Sequence, residues 1–313
     1  MNSTFFLPAT AAVLFALCPT CAAQNRLTEF GQPDLQGIWY SGTNTPLERP
    51  ADLAGKEFFA SDAEAETWLK KKTARSAANT AADPVGSYND VFWEPGSTVQ
   101  TRRTAMVTDP PDGKLPPLTA AARDTWTRKR KAMAARPLGA EDRTLRERCL
   151  VFPTAPPPMI PYIYNSNYQI IQSKDEIAIF VELNHDVRII HLDGRPHLPA
   201  SIHLWLGDSL GHWEGNTLVV DTTSLTANNE AWGADENLHV VERFSRSGDG
   251  ALLYQWTVDN PSAFTKPWKG EYTMTATAAP LFEYACHEGN YALANILKGA
   301  RAEDQADKTR KLQ

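Results

Sequence analysis

Every histidine of this chain lies in its second half. The seven fall between His185 and His287, and none occurs earlier. Four stand close to carboxylates: His185-Asp186, His212 with Glu214, His239 with Glu242, and His287-Glu288. An imidazole beside a carboxylate supplies a general base with an orienting partner. It equally supplies a metal ligand with an acid behind it. The plain alternative is that imidazoles and acids share a solvated β-surface and do nothing together.

Strand geometry sorts these residues, because positions two apart share a face. A two-residue turn at Gly215-Asn216 pairs Glu214 with Thr217 and Trp213 with Leu218. Trp213, Leu218 and Val220 then occupy one face. His212, Glu214, Thr217, Val219 and Asp221 occupy the other, which meets solvent or lines a wet cavity. Glu242 differs, because it shares its face with Leu238, Val240 and Phe244. A carboxylate on such a stripe is buried, as in a structural ion pair with an Arg, or it sits at a pocket mouth as a general acid or base. In the Tyr284–Tyr291 segment, Glu283, Ala285 and His287 share one face of an expected strand, with Tyr284, Cys286 and Glu288 on the other. His185-Asp186 ends a strand, where residues of a barrel rim are found. The candidate catalytic residues are therefore His212, Glu214, Glu242, His287 and Glu288, with His185 and Asp186.

A divalent metal is possible from His and Glu ligands. With no HExxH and no local H-x-H pair, the chain offers ligand types without ligand spacing, so the sequence leaves metal binding open. There is no P-loop, no dinucleotide fingerprint and no G-x-S-x-G elbow, so no nucleotide cofactor is expected and phosphoryl transfer has no support.

The elements that must position these residues follow from the rest of the chain. Phe5 to Cys18 is apolar and is followed by Cys21-Ala22-Ala23, which reads as a secretory signal cleaved near Ala23–Gln24. No basic residue precedes it and Pro8 interrupts it, so a membrane anchor or a buried N-terminal helix is the alternative. The expected mature protein is periplasmic or secreted. Of four cysteines, Cys149 and Cys286 then remain, and an oxidising compartment favours a disulfide between them over two buried thiols. The net charge of −6 argues against nucleic acid as a partner. No mature apolar run is long enough for a membrane span. The expected partner is a small-molecule ligand or substrate, and oligomeric state stays open.

Residues 24–160 carry a first strand at Asp34–Tyr40 and peripheral helices. Ser61 and Glu64 form a capping box for a helix to about Arg75, and Ser76 to Ser87 reads as loop. Thr101 to Val107 reads as a strand, and Thr119 caps a helix to about Ala135. That helix carries the basic run Arg128–Lys131, read as a solvated face with an anionic partner as the minor reading. Pro153 to Pro161 is an extended connector. Residues 161–313 then form short alternating strands: 168–173, 177–183, 187–192, 210–214, 217–223, 238–246, 251–258, 268–277 and 281–287. A terminal helix follows from Tyr291. This pattern predicts a mainly β chain: an up-and-down antiparallel β-barrel or curved β-meander, lipocalin-like, with peripheral helices and a C-terminal helix. The two parts are expected to form one compact domain.

Gly211–Thr222 (GHWEGNTLVVDT), Asn237–Phe244 (NLHVVERF) and Glu283–Tyr291 (EYACHEGNY) together resemble a group of secreted bacterial proteins. The resemblance runs from Gly37 to Arg301 and implies export without implying an activity. Separately, Gly37-Ile38-Trp39 resembles the opening of lipocalin-type barrels, where the Trp closes one end. The function expected from the residues is an exported enzyme using His/Glu acid–base chemistry on a small organic substrate, as isomerase, lyase or hydrolase, in a barrel cavity. A lipocalin-like carrier and a structural envelope protein are the alternatives.

Overall fold

Alternation along the second half of the chain becomes strands whose every second residue is buried. In the strands 239–246 and 251–259, Val240, Glu242 and Phe244, then Leu252, Tyr254, Trp256 and Val258, all point inward. The computed structural model describes residues 26–82, 100–162, 164–227, 235–248 and 250–311; the segment read as a secretory signal lies outside them. Ten strands are present among these residues: β1 (Gly37–Tyr40), β2 (Val107–Asp109), β3 (Asn167–Gln172), β4 (Glu176–Val181), β5 (Val187–His191), β6 (Asp208–Glu214), β7 (Thr217–Thr223), β8 (His239–Arg246), β9 (Ala251–Asp259) and β10 (Trp268–Thr277). Three helices accompany them: α1 (Asp62–Ala82), α2 (Ala120–Ala134) and α3 (Ala292–Lys311). No helix among the described residues is long and apolar enough to cross a membrane.

Nine strands close into a barrel, and β2 lies outside the ring against β10. The closing strand is β1, where Trp39 pairs with Tyr168 of β3 on one side and Ala276 of β10 on the other. The expected fold class is thus present, with one departure: β5 and β6 run parallel, joined through Ile190↔Ser209 and His191↔Leu210. Parallel neighbours need a crossover of roughly a dozen residues or more. Here residues 192–207 supply it, folded against the outer face of the barrel, where Leu204 bridges Leu225.

Local expectations hold in part. Thr119 accepts from the Ala122 amide and caps α2. The Glu64 amide donates to Ser61 Oγ, but the Glu64 carboxylate reaches back to the Ala60 amide, one residue short of a closed capping box. Helix α1 continues to Ala82 instead of ending near Arg75, because the alanine-rich run after Ser76 has high helix propensity. The strand expected over 101–107 is confined to Val107–Asp109; Thr101 instead takes a positive φ of 53° in a 3-10 turn. Leu281–His287 is no strand at all. The ninth place in the ring belongs to β1, which leaves no free sheet edge for that segment to join.

Side chains fill the lumen. Phe244, Tyr254, Trp256, Trp268 and Tyr272 are buried and meet edge to face or tilted, as Trp256 and Trp268 do at 6.3 Å and 90°. The proline-rich segment 153–161 is part of this interior. The Met159 amide donates to Tyr254 Oη (2.9 Å), Tyr272 Oη donates to the Met159 carbonyl (2.9 Å), and Tyr168 Oη donates to the Thr154 carbonyl (2.9 Å). Trp39 is buried, its Nε1 donating to the Leu35 carbonyl (2.9 Å), and the Arg246 guanidinium covers its ring at 4.9 Å. A Cβ at Gly270 would lie 2.6 Å from Trp256 Cε2, so no larger residue fits there. Gly270→Ala is expected to cost about 1–3 kcal/mol by overpacking. A urea midpoint equal to that of the native chain would contradict this.

Candidate functional site

The β6–β7 hairpin forms in the expected register, with Glu214 opposite Thr217 and Trp213 opposite Leu218. Gly215 takes a φ of 58° in the turn, a conformation that glycine adopts without strain. This register places the polar face outside the barrel. At its far end His212 Nε2 lies 3.3 Å from Glu214 Oε1, and Arg243 donates to Glu214 Oε2 at 2.9 Å. The Arg243 hydrogen bond, aided by His212, holds the Glu214 carboxyl below its usual range. All three side chains are open to water, and no wall encloses them.

At the near end of the same face a longer chain of charges forms. Asp208, almost fully buried, accepts from Arg195 Nη2 (2.6 Å), from the Leu198 amide (2.9 Å) and from His197 Nδ1 (2.9 Å). His197 Nε2 meets Asp221 Oδ1 at 3.0 Å, and His239 Nε2 lies 3.0 Å from both oxygens of Asp221. The ring of His197 thus bridges the two carboxylates, one at each nitrogen. The connector 192–207 brings Arg195 and His197 here. Gly207, at φ 73°, lets it turn into β6 where a Cβ would sit 2.8 Å from the Thr223 carbonyl.

Beside this chain, the parallel seam opens into a cleft of about 300 Å³. Its lining includes Arg195, Asp208, Leu198, Ile189, Leu204 and Trp205. The last three are exposed apolar side chains at 39–43%, which gives the cleft an apolar wall next to its charged rim.

The charge chain has a pH signature. The hydrogen bond that His239 donates to Asp221 raises the His239 pKa above 6.5, against partial burial, with Asp221 and Asp259 adding by their charge. The same bond lowers the Asp221 pKa below 3.8. The His239 contribution is complete below the ordinary imidazole pKa and is lost as pH rises through the raised folded value. The Asp221 contribution is complete above the ordinary carboxylate pKa and is lost as pH falls through the lowered folded value. The pair therefore stabilises most between about pH 4 and pH 6.5. Asp221→Asn is expected to cost about 0.5–1 kcal/mol near pH 5 and less above pH 8, given its partial exposure. Urea unfolding at the two pH values checks this, and an equal loss at both contradicts it.

Glu242 lies on the inner face, where the alternation puts it, and is fully buried. Arg188 of β5 donates to Oε1 at 2.8 Å and also bonds Oε2; Tyr254 Oη donates to Oε1 at 2.7 Å. Arg188 further donates to Thr222 Oγ1 (2.8 Å) and Ser209 Oγ (3.0 Å). Burial acts to lower the Arg188 pKa, but the adjoining Glu242 charge outweighs it and holds the guanidinium protonated. Glu242 therefore has its ion pair with an Arg, and it stands on the opposite side of the strand from His239.

His185 and Asp186 sit between β4 and β5. His185 Nε2 accepts from the Tyr284 amide at 2.9 Å, and Glu182 accepts from the Phe282 amide at 3.1 Å. Burial pushes the Asp186 carboxyl up to about 6, against a hydrogen bond from Asn184 and the charge of His185. Asn184 and His185 hold positive φ angles of 72° and 60°, a strained backbone for residues other than glycine. These bonds and the Cys149–Cys286 disulfide pin the 281–290 segment to the barrel. His287 and Glu288 lie exposed on it.

The structure thus does not gather the seven candidates into one place. It gathers Arg195, His197, Asp208 and Asp221 with His239. Only a long connector between β5 and β6 could have signalled this in the sequence, because it marks a crossover. Among the described residues no group of three His, Cys, Asp or Glu side chains is arranged to hold a metal ion. Comparison with protein-family models, with curated proteins and with solved structures found no match for this chain.

Proposed function

We propose that this chain is an exported enzyme that transfers protons on a small organic substrate, with the β5–β6 cleft as its binding site and His197 as its acid–base group. One observation carries the reading: His197 is clamped between Asp221 and Asp208, and Asp208 itself lines the cleft. Histidine titrates near neutrality and is the commonest proton-transfer group. Asp208, itself fixed by Arg195 and the Leu198 amide, orients the ring through Nδ1. Nε2, which meets Asp221 in the free site, is then the atom that exchanges a proton with the substrate once the substrate takes the place of that contact. Isomerase, lyase and hydrolase chemistry all fit this arrangement. The filled lumen speaks against a substrate inside the barrel. The N-terminal apolar segment and the disulfide support export.

A carrier without turnover is the second reading, favoured by the exposed wall of Ile189, Leu204 and Trp205. Its ligand would also occupy the outer cleft. The test is a screen of small acids, esters and sugars by proton NMR in deuterated water, with native protein and the His197→Asn variant. Native protein is expected to form product or exchange protons on at least one compound. The variant should be at least ~100-fold slower. Full activity in the variant removes this site from the chemistry, and a compound that binds yet returns unchanged establishes the carrier.

A further inference from the structure

We infer that the β5–β6 cleft takes a small monocarboxylate with a flat apolar body, the anion meeting Arg195 and the body lying against Trp205 and Leu204. This rests on the cleft being the binding site; it does not require turnover.

The guanidinium has five donors in a planar fork. Arg195 gives one Nη to Asp208 and keeps a third of its side-chain surface exposed. A carboxylate is the acceptor that the open part of the fork fits best. Asp208 is the one acid lining the cleft, and it already accepts from Arg195, His197 and the Leu198 amide. An incoming anion therefore meets donors with little opposing charge. His191 is the imidazole of the lining, tethered through Nδ1 to Glu176 at 3.1 Å.

The opposite wall is apolar. Trp205 and Leu204 keep 43% and 42% of their surface exposed although both line a concave site. An indole face favours offset stacking with another flat ring. The volume of about 300 Å³ stands at the small end of ligand pockets, which suits an aromatic acid of one or two rings.

Calorimetric titration of the full mature chain with benzoate, phenylacetate and 2-naphthoate, each against its neutral amide, tests the assignment. At least one acid is expected to bind about tenfold tighter than its amide. Arg195→Gln should bring that ratio to about one, and Arg195→Lys should keep part of it. Trp205→Ala should weaken acid and amide alike and leave the ratio intact. Because Arg195 also holds Asp208, each variant is first melted by circular dichroism; if Arg195→Gln is unfolded, Arg195→Lys and Trp205→Ala decide the matter. Equal binding of acid and amide, or a preference indifferent to the Arg195 substitutions, overturns the inference. Absence of binding by every probe overturns it together with the cleft as a site. Acid-selective binding without any turnover upholds it and removes the enzyme.

Discussion

Arg188→Met is expected to lower stability by about 3–5 kcal/mol. The substitution strands the Glu242 carboxylate, fully buried, with Tyr254 as its one remaining side-chain donor among the described residues. It also takes hydrogen bonds from Ser209 and Thr222, although those two hydroxyls lie 3.0 Å apart and can satisfy each other. Glu242→Leu alone should be of similar severity, because it leaves a buried guanidinium without its counter-charge. The double variant Arg188→Met with Glu242→Leu is expected to recover much of the loss, since well-packed apolar residues often replace a buried ion pair without penalty. Urea denaturation of the three variants measures this directly. Single losses below about 1 kcal/mol would show that the pair contributes no more than an ordinary hydrogen bond. A double variant as unstable as the singles would show that the interior requires these polar groups.

The second large effect concerns Cys149 and Cys286, which are bonded across a sequence separation of 137 residues. Replacing both by Ser is expected to destabilise the chain by roughly 4–5 kcal/mol if the constraint on the unfolded chain dominates, and by at least about 2 kcal/mol otherwise. The cross-link also holds the 281–290 segment, which has no strand partner of its own. Its other ties include the Tyr284 amide to His185, the Phe282 amide to Glu182 and the Tyr284 ring against Phe152 and Tyr164. Limited proteolysis should therefore cut the double variant first between residues 281 and 290. Unchanged stability and unchanged cleavage would mean that those ties suffice.

Much of the barrel was legible because its signals are local. The Gly215-Asn216 turn set a register that the structure repeats residue for residue. The alternation of Leu238, Val240 and Phe244 placed Glu242 inside, and an Arg was anticipated as its partner. Which Arg was not legible: Arg188 sits three strands earlier, on β5, and reaches Glu242 past Ser209 of β6 and Thr222 of β7 only because the sheet curves. The candidate site was hidden for a similar reason. Asp208, Asp221 and His197 converge because β5 and β6 run parallel, and strand direction is not written in alternation. Sequence-adjacent pairs misled, since His239 and Glu242 are three apart on a strand and face opposite ways. His239 instead finds Asp221 on the neighbouring strand. The Leu281–His287 stretch alternates like a strand, yet a strand needs an open edge and β1 had closed the ring.

Ring closure by β1 also fixes an order of events during synthesis. Trp39 emerges early, but its two strand partners lie at Tyr168 and Ala276. The first strand cannot complete its pairing until nearly the whole chain has left the ribosome, and the disulfide waits for Cys286 in the same way. Contacts this distant in sequence put the protein among slow folders, in the range of milliseconds to seconds. A nascent chain obliged to stay open so long is well suited to threading through a translocation pore before its barrel forms.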